Sequence, residues 1–303
     1  MQPTQRLNYL FVINPGSGKN TSGDITEIIE NHFEGKASTF KIFLLDQNVK
    51  FKQLDAYIKK INPQQIIAAG GDGTITMIAN MVAHTDIALG ILPTGSANGM
   101  AKELNIPLDL HEALLLATSC KSSPCDLIKM NDHKYCLHLS DVGLNAHLIK
   151  HFDEGKIRGF TGYCSVVIKT LIRKQKIHAT IYTPQKIIKR DAFMVAFANA
   201  RMYGTGAIIN PDGKLDDGIF EVIIVRKLNV WAVLNVMFKI GRYNPKEIEI
   251  VPATSVEITT SRKVHFQIDG EYEGRLNKVT AVIAPNALNL LRPFVKAKVF
   301  NTH

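Results

Sequence analysis

Residues 66–69 (Ile-Ile-Ala-Ala) run directly into Gly70-Gly71-Asp72-Gly73-Thr74, and this junction constrains the fold more than any other stretch of the chain. A short apolar run that ends in glycines is a buried strand emerging into a turn. Glycines there let the backbone approach a ligand closely. Backbone N–H groups ahead of a helix N-terminus then form an anion site. Asp72 is the odd member, because a carboxylate facing phosphates is repulsive unless a cation mediates or the carboxylate handles a proton. Mg²⁺ with a nucleotide meets that requirement.

The flanking pattern places this loop in an open sheet. Residues 9–14 read as a first strand, and 24–33 as a helix with Asp24 at its cap and Glu27 three positions on. Residues 39–45 form the second strand. Apolar positions Phe51, Leu54, Tyr57, Ile58 and Ile61 give 49–61 a helical period that stops before Pro63. Residues 65–69 are the third strand and 74–83 its helix. The fourth strand, 87–92, leads into Pro93-Thr94-Gly95-Ser96-Ala97-Asn98-Gly99. Such alternation predicts a doubly wound α/β nucleotide-binding domain over residues 1–124, with ligands beyond the carboxyl ends of the strands, so that the two glycine loops converge.

From residue 125 to 288 the texture is mostly β, with strand-like runs at 193–198, 218–225, 255–260 and 263–269. A second, β-sandwich-like domain is expected there, with helices over 158–177 and 230–240. The apolar segment 289–303 is free to return to the first domain. At 303 residues, 46% hydrophobic and 21% charged, the chain has the composition of a globular protein. No uncharged apolar stretch reaches the roughly 18 residues needed to span a bilayer, and the polar start lacks the core of a signal peptide. The expected location is therefore cytoplasmic. Cys120, Cys125, Cys136 and Cys164 show no C-x-x-C pairing and read as reduced structural thiols. A net charge of +9 favours anionic partners: nucleotides, nucleic acid or an acidic membrane face.

Asn14-Pro15-Gly16-Ser17-Gly18-Lys19 looks like the end of a Walker A loop, but the spacing fails: Ile13 stands where the first glycine belongs and Asn20 follows the lysine. A tight loop after a strand and near a phosphate remains. Thr74, where the helix begins, can cap it or touch a phosphate. Ser96 and Asn98 offer neutral hydrogen bonds for ribose, phosphate or water, or a simple cap. Residues 211–218 present Asp212, Asp216 and Asp217 around glycines, the carboxylate-plus-carbonyl mixture of a hard-cation site or of a solvated turn. Asp269-Gly270 between strands is a hairpin signal. His147 and His151 are spaced like metal ligands but lack a completing signature, and read as helix surface. Lys169, Arg173, Lys174 and Lys176 fringe an apolar run, as a solvated edge or a basic edge for anionic headgroups.

Taken in order, Asn14-Pro15-x-Ser17-Gly18, Gly70-Gly71-Asp72-Gly73-Thr74 and Leu92-Pro93-x-Gly95-Ser96-x-Asn98 resemble the diacylglycerol kinase catalytic domain family, shared by bacterial lipid kinases, sphingosine kinases and ceramide kinase. The resemblance continues through residues 141–146, Asn199-Ala200-x-x-Tyr203-Gly204-x-Gly206, residues 211–218 and Asp269-Gly270-Glu271. It implies an ATP-dependent kinase that transfers the γ-phosphate of Mg-ATP to a lipid hydroxyl, of diacylglycerol or a related glycerolipid or sphingoid. It implies ATP and Mg²⁺ as cofactors. The nucleotide would be held by Asn14, Ser17, Gly70, Gly71, Asp72, Gly73, Thr74, Thr94, Ser96 and Asn98. A structural Mg²⁺ would take the Asp217 side chain with the carbonyls of Lys214 and Ile219. Glu271 is the implied general base, with Asp72 its rival. The partners implied are a lipid at the anionic inner face of the membrane, met peripherally, and no nucleic acid; a homodimer is allowed. The usual continuation G-G-D-G-T-x-N-E reads Thr76-Met77 at its last two positions here. Two other readings stay open: a kinase of a soluble acceptor, NAD above all, and a non-catalytic lipid- or nucleotide-binding regulator.

Overall fold

The computed structural model describes residues 7–18, 21–45, 51–143, 176–203, 207–227, 244 and 246–293. Expectations for the helix at 230–240, the histidines 147 and 151, the basic fringe 169–174, Cys164, residues 144–146 and 204–206 and the tail beyond 293 lie outside them, as does the helix expected at 158–177 up to residue 175; its last residue, Ile177, opens a strand instead. The described chain divides into two compact units. One comprises residues 1–78, 85–123 and 289–303; the other comprises 79–84 and 124–288.

The first unit contains β1 (Asn8–Ile13), α1 (Ser22–Phe33), β2 (Thr39–Leu44), α2 (Phe51–Ile61), β3 (Gln65–Gly70), most of α3 (Asp72–Val82), β4 (Ala88–Pro93), α4 (Gly99–Glu103) and α5 (Leu110–Ser119). Its strands pair in the order β2-β1-β3-β4, all parallel. Parallel strands buried on both faces carry near-continuous apolar sequence, and residues 66–69 and 10–13 are fully buried. Helix α1 buries Ile25, Ile29 and Phe33, one stripe at helical spacing. Phe33 packs edge-on against Tyr9 and Phe11 of β1, with ring centroids 5.1 and 5.8 Å apart. Its start differs from the expectation. The cap is Thr21, whose hydroxyl accepts from the Asp24 N–H at 3.2 Å, while the Asp24 carboxylate accepts from the Thr21 N–H at 3.0 Å. Asp24 is thus the third helical residue of a capping box, a place where an acid satisfies an otherwise orphaned donor.

The second unit is almost wholly β: β5 (Ser122–Met130), β6 (Lys134–Cys136), β7 (Leu139–Gly143), β8 (Ile177–Tyr182), β9 (Ile187–Ala192), β10 (Met194–Ala198), β11 (Met202–Tyr203), β12 (Ala207–Ile208), β13 (Phe220–Val225), β14 (Ile248–Ala253), β15 (Ser255–Ile268) and β16 (Glu271–Leu291). Strands β14-β13-β10-β7-β15-β16 are successive antiparallel neighbours, and β8 and β9 extend from β15. Phe197, Phe220, Phe266 and Ile224 fill the core beneath them. The two runs expected at 255–260 and 263–269 are one strand. Pairing with β16 slips between Thr259 and Val264, so a bulge absorbs the break in alternation without ending the ladder. The end of β16, from Asn289, belongs to the first unit, where it pairs parallel with β4, Asn289 opposite Ala88 and Leu290 opposite Leu89.

Candidate active site

In the first unit, β1, β3 and β4 end level with one another, Ile13 opposite Ala69 and Gly70 opposite Pro93. Their three following loops interlock. Asn14 Nδ2 donates to Thr74 Oγ1 at 3.0 Å, and its Oδ1 accepts from the Gly16 N–H at 3.0 Å. Ser17 Oγ donates to the Asn14 carbonyl at 2.8 Å and lies 2.8 Å from Thr94 Oγ1. A hydroxyl has one proton, so the buried Thr94 donates in that pair. The first loop is therefore fastened to both of the others. Thr74 lies in the first turn of α3, which begins at Asp72: its own N–H and that of Ile75 both bond to the Gly71 carbonyl, at 3.0 and 3.2 Å. The expected cap role for Thr74 gives way to a link with Asn14.

The glycines in these loops are demanded by contact. A Cβ on Gly95 would lie 2.4 Å from Gly71 Cα and 2.9 Å from Asn98 Oδ1, and one on Gly18, at φ +81°, would lie 1.9 Å from the Thr94 carbonyl oxygen. Only a residue without Cβ lets three backbones meet so closely. Asp72 joins two of the loops: its Oδ2 accepts from the Gly99 N–H and its Oδ1 from the Met100 N–H, each at 3.0 Å. These are orphan donors at the start of α4, which Asp72 satisfies from outside that helix. Asn98, at the cap position of α4, adopts the left-handed conformation (φ 50°) and makes no capping bond with its side chain. Its Oδ1 is buried without a hydrogen-bond partner among the described residues. A buried acceptor left unmet costs free energy unless something occupies the site. Thr94 and Thr74 are also buried, whereas Gly73 and Ser96 are exposed.

In the second unit, Asp269 and Gly270 form a two-residue hairpin turn between β15 and β16, both at positive φ (48° and 90°), and Ile268 pairs with Glu271. That is the backbone of a type I′ turn, where Asp-Gly is favoured. The turn is pinned from beneath. The Asp269 carboxylate accepts from the N–H groups of Leu137, His138 and Leu139 at 2.7, 2.8 and 2.9 Å, and from Cys136 Sγ at 3.2 Å. Burial, then the nearby Asp269 charge, raises the Cys136 thiol well above its ordinary value. Gln267 Oε1 accepts from the Gly270 N–H at 2.8 Å, and Gln267 Nε2 donates to the buried Asp141. Glu271, the first residue of β16, is exposed.

The turn at 211–219 presents Asp212, Asp216 and Asp217 to solvent, and Asp217 Oδ1 accepts from the Ile219 N–H at 3.3 Å. Beneath it sits Glu221, nearly buried and bonded to Asn210 Nδ2. Burial raises its carboxyl above the ordinary glutamate value, and the charges of Asp217 and Asp212 add to the rise. Among the described residues no cluster of three His, Cys, Asp or Glu side chains could hold a metal. A site of one carboxylate and two carbonyls is a different donor set, and the crowded negative charge here suits a hard cation.

Sequence reasoning missed the residue that shapes this turn. Asp126, fully buried on β5, accepts from the Gly218 N–H at 2.7 Å and the Asn286 N–H at 2.8 Å, and its carbonyl accepts from Asn199 Nδ2 at 2.7 Å. Its one legible signal is an acid inside an apolar strand.

Two family models match the chain. Residues 8–130 match the diacylglycerol kinase catalytic domain, and residues 140–292 match the YegS C-terminal NAD kinase beta sandwich-like domain. A protein of Yersinia enterocolitica serotype O:8 / biotype 1B named "Probable lipid kinase YegS-like" is 32% identical over 238 residues, 76% of this chain and 79% of that one. A protein of the same name from Yersinia pseudotuberculosis serotype I is 29% identical over 239 residues, covering 75% and 78%. A crystal structure described as a diacylglycerol kinase from Bacillus anthracis str. Sterne shares the fold, with a TM-score of 0.75 over 96% of this chain and 98% of that one at 19% identity. An α/β catalytic domain followed by a β-sandwich-like domain, matched along both halves, places the chain in the YegS-like, diacylglycerol kinase-related family of lipid kinases.

Proposed function

We propose that the protein transfers the γ-phosphate of Mg-ATP to the hydroxyl of a lipid, diacylglycerol or a related glycerolipid or sphingoid, at the anionic inner face of a membrane. One observation carries the reading. Three strand-end loops are drawn together over glycines with no room for a Cβ, around the buried and partnerless Asn98 Oδ1. A nucleotide supplies donors for such an acceptor, and the loop N–H groups supply donors for its phosphates.

The residues divide the work as follows. Gly70, Gly71 and Gly73 let the backbone reach the phosphates; Asn14, Ser17, Thr74 and Thr94 hold the loops and line them with hydroxyl and amide groups; Ser96 and Asn98 place the nucleoside end. Asp72 spends one lone pair of each oxygen on α4 and keeps the others, so it can organise Mg²⁺ through water. When bound, Mg²⁺ neutralises charge on the transferring phosphates. Glu271, exposed at the head of β16 on a pinned turn, aligns the acceptor hydroxyl and takes its proton late, as befits an alcohol of high pKa. The two backbone N–H bonds to Asp72 favour Glu271 over Asp72 as the base. Asp217, with the carbonyls of Lys214 and Ile219, would hold a second Mg²⁺ that steadies the β unit, relieving the repulsion felt by Glu221. Among the described residues no helix is long and apolar enough to cross a membrane, and the net charge of +9 fits a peripheral encounter with anionic lipid.

The test is phosphorylation of a total lipid extract with labelled ATP, the product identified by mass spectrometry. Labelled lipid is expected, with turnover by Asp72→Asn and Glu271→Gln reduced by about a hundredfold or more while both fold normally. Phosphorylation of NAD and of no lipid would overturn the reading, as would nucleotide binding without turnover on any acceptor.

A further inference from the structure

The β unit carries a second concave surface that none of these roles uses. A groove of about 800 Å³ opens where the β8–β9 hairpin and β15 face the ends of β13 and β14. Its lining takes in both faces of a three-stranded patch: Lys189, Thr180 and Thr259 pair on one face, and Arg190, Ala179 and Thr260 on the other. Beyond Ala179, the side chains of Ile177, Ile181, Ile188 and Ile258 carry that second face into the core.

The charge on this groove is lopsided. Six cationic residues line it, Lys176, Lys189, Arg190, Arg226, Lys227 and Lys246, against one carboxylate, Asp191. Asp191 Oδ1 is already engaged by His178 Nδ1 at 2.5 Å. Arg190 is committed in a fork to Glu249, at 2.9 and 3.3 Å, and the Lys176 ammonium rests 5.6 Å from the centre of the Phe193 ring. The other four have no ion-pair partner among the described residues. The backbone N–H groups of Arg226 and Lys227 are anchored on the Glu247 carbonyl at 2.8 and 3.2 Å, which fixes where those two side chains emerge.

Like charges that outnumber their counter-charges in a concavity repel one another, and the arrangement is relieved by an anion. Ammonium groups on flexible stems, with hydroxyls between them, suit a tetrahedral oxyanion approached from several sides. The geometry points to a binding site for a phosphate-bearing anion in this groove, built by Lys189, Arg226, Lys227 and Lys246 with the hydroxyls of Thr180 and Thr259. It stands on binding alone and requires no kinase activity.

The test compares the full chain with K189Q/K227Q/K246Q, three exposed side chains whose loss leaves the core intact. A control, K52Q/K60Q/K121Q, removes the same charge from exposed lysines of the first unit. Calorimetry with inorganic pyrophosphate, with the nucleotide loops saturated by a non-hydrolysable ATP analogue, reads a soluble phosphate. Sedimentation with phosphatidylcholine vesicles, with and without phosphatidylglycerol, reads a lipid headgroup. At about a factor of five per cation, the groove variant should lose roughly a hundredfold in one of the two assays while the control keeps its affinity. Loss in calorimetry assigns a free phosphate, and loss in sedimentation a headgroup. Equal behaviour of the two variants in both assays, or no binding by the unsubstituted protein in either, overturns the site. A failed kinase assay leaves these outcomes untouched.

Discussion

Asp72 and Asp269 lie in different units, each directly before a glycine, and the structure uses them differently. Asp72 accepts two backbone N–H groups, one on each oxygen. Asp269 accepts three in succession and a thiol. A carboxylate offers about four lone-pair sites, so Asp269 is saturated and serves as a staple, while Asp72 retains capacity for a cation. The difference teaches that an acid in a signature motif is read by its donors: the saturated one holds the turn, which leaves its neighbour Glu271 as the acid proposed for the chemistry.

The sharpest way to break this contrast is truncation. Asp269→Ala strands three backbone N–H groups and should cost about 3–4 kcal/mol in urea unfolding, against about 1–2 kcal/mol for Asp72→Ala, which strands two at a helix start. Equal losses would erase the distinction. A smaller effect is expected from Gly95→Ala, whose Cβ meets Gly71 Cα at 2.4 Å. Separating the two loops should cost about 1–3 kcal/mol and weaken ATP-analogue binding with little effect on the turn at Asp269. The smallest concerns Glu221, a carboxylate that its surroundings penalise. Its folded pKa is raised, so the folded state holds the proton longer than the unfolded chain. Stability falls as pH rises from the ordinary glutamate value toward the raised one, then levels. Glu221→Gln keeps an acceptor for Asn210 and should flatten that decline in melting temperature measured across the mildly acidic range.

Much of the first unit was legible because a parallel sheet writes itself as apolar runs ended by glycines, and residues 66–74 state both. The start of α3 was not, since Gly71 to Gly73 reads as loop until the Thr74 and Ile75 N–H groups are seen closing on the Gly71 carbonyl. The cap of α1 was misplaced by three residues because a capping box is reciprocal, and Thr21 and Asp24 each satisfy the other. In the site, the glycine loops and the Asp-Gly turn announced themselves. Asp126 did not, because its partners Gly218 and Asn286 lie 92 and 160 positions away and contribute only backbone N–H groups, which leave no mark on side-chain identity. The saturation of Asp269 was hidden for the same reason. The basic groove is assembled from five separate stretches, none of which carries more than two of its cations.

The contact between Gly71 and Gly95 also bears on how this protein can vary. A side chain on Gly95 would need the space that the Gly71 backbone fills, so the course of the loop after β4 is tied to that of the loop after β3. A library that diversifies the loop after β4 alone will return glycine at position 95. Changing the ligand these loops accept requires exchanging both together, with the Asn14–Gly18 segment carried along, since Gly18 rests on the Thr94 carbonyl.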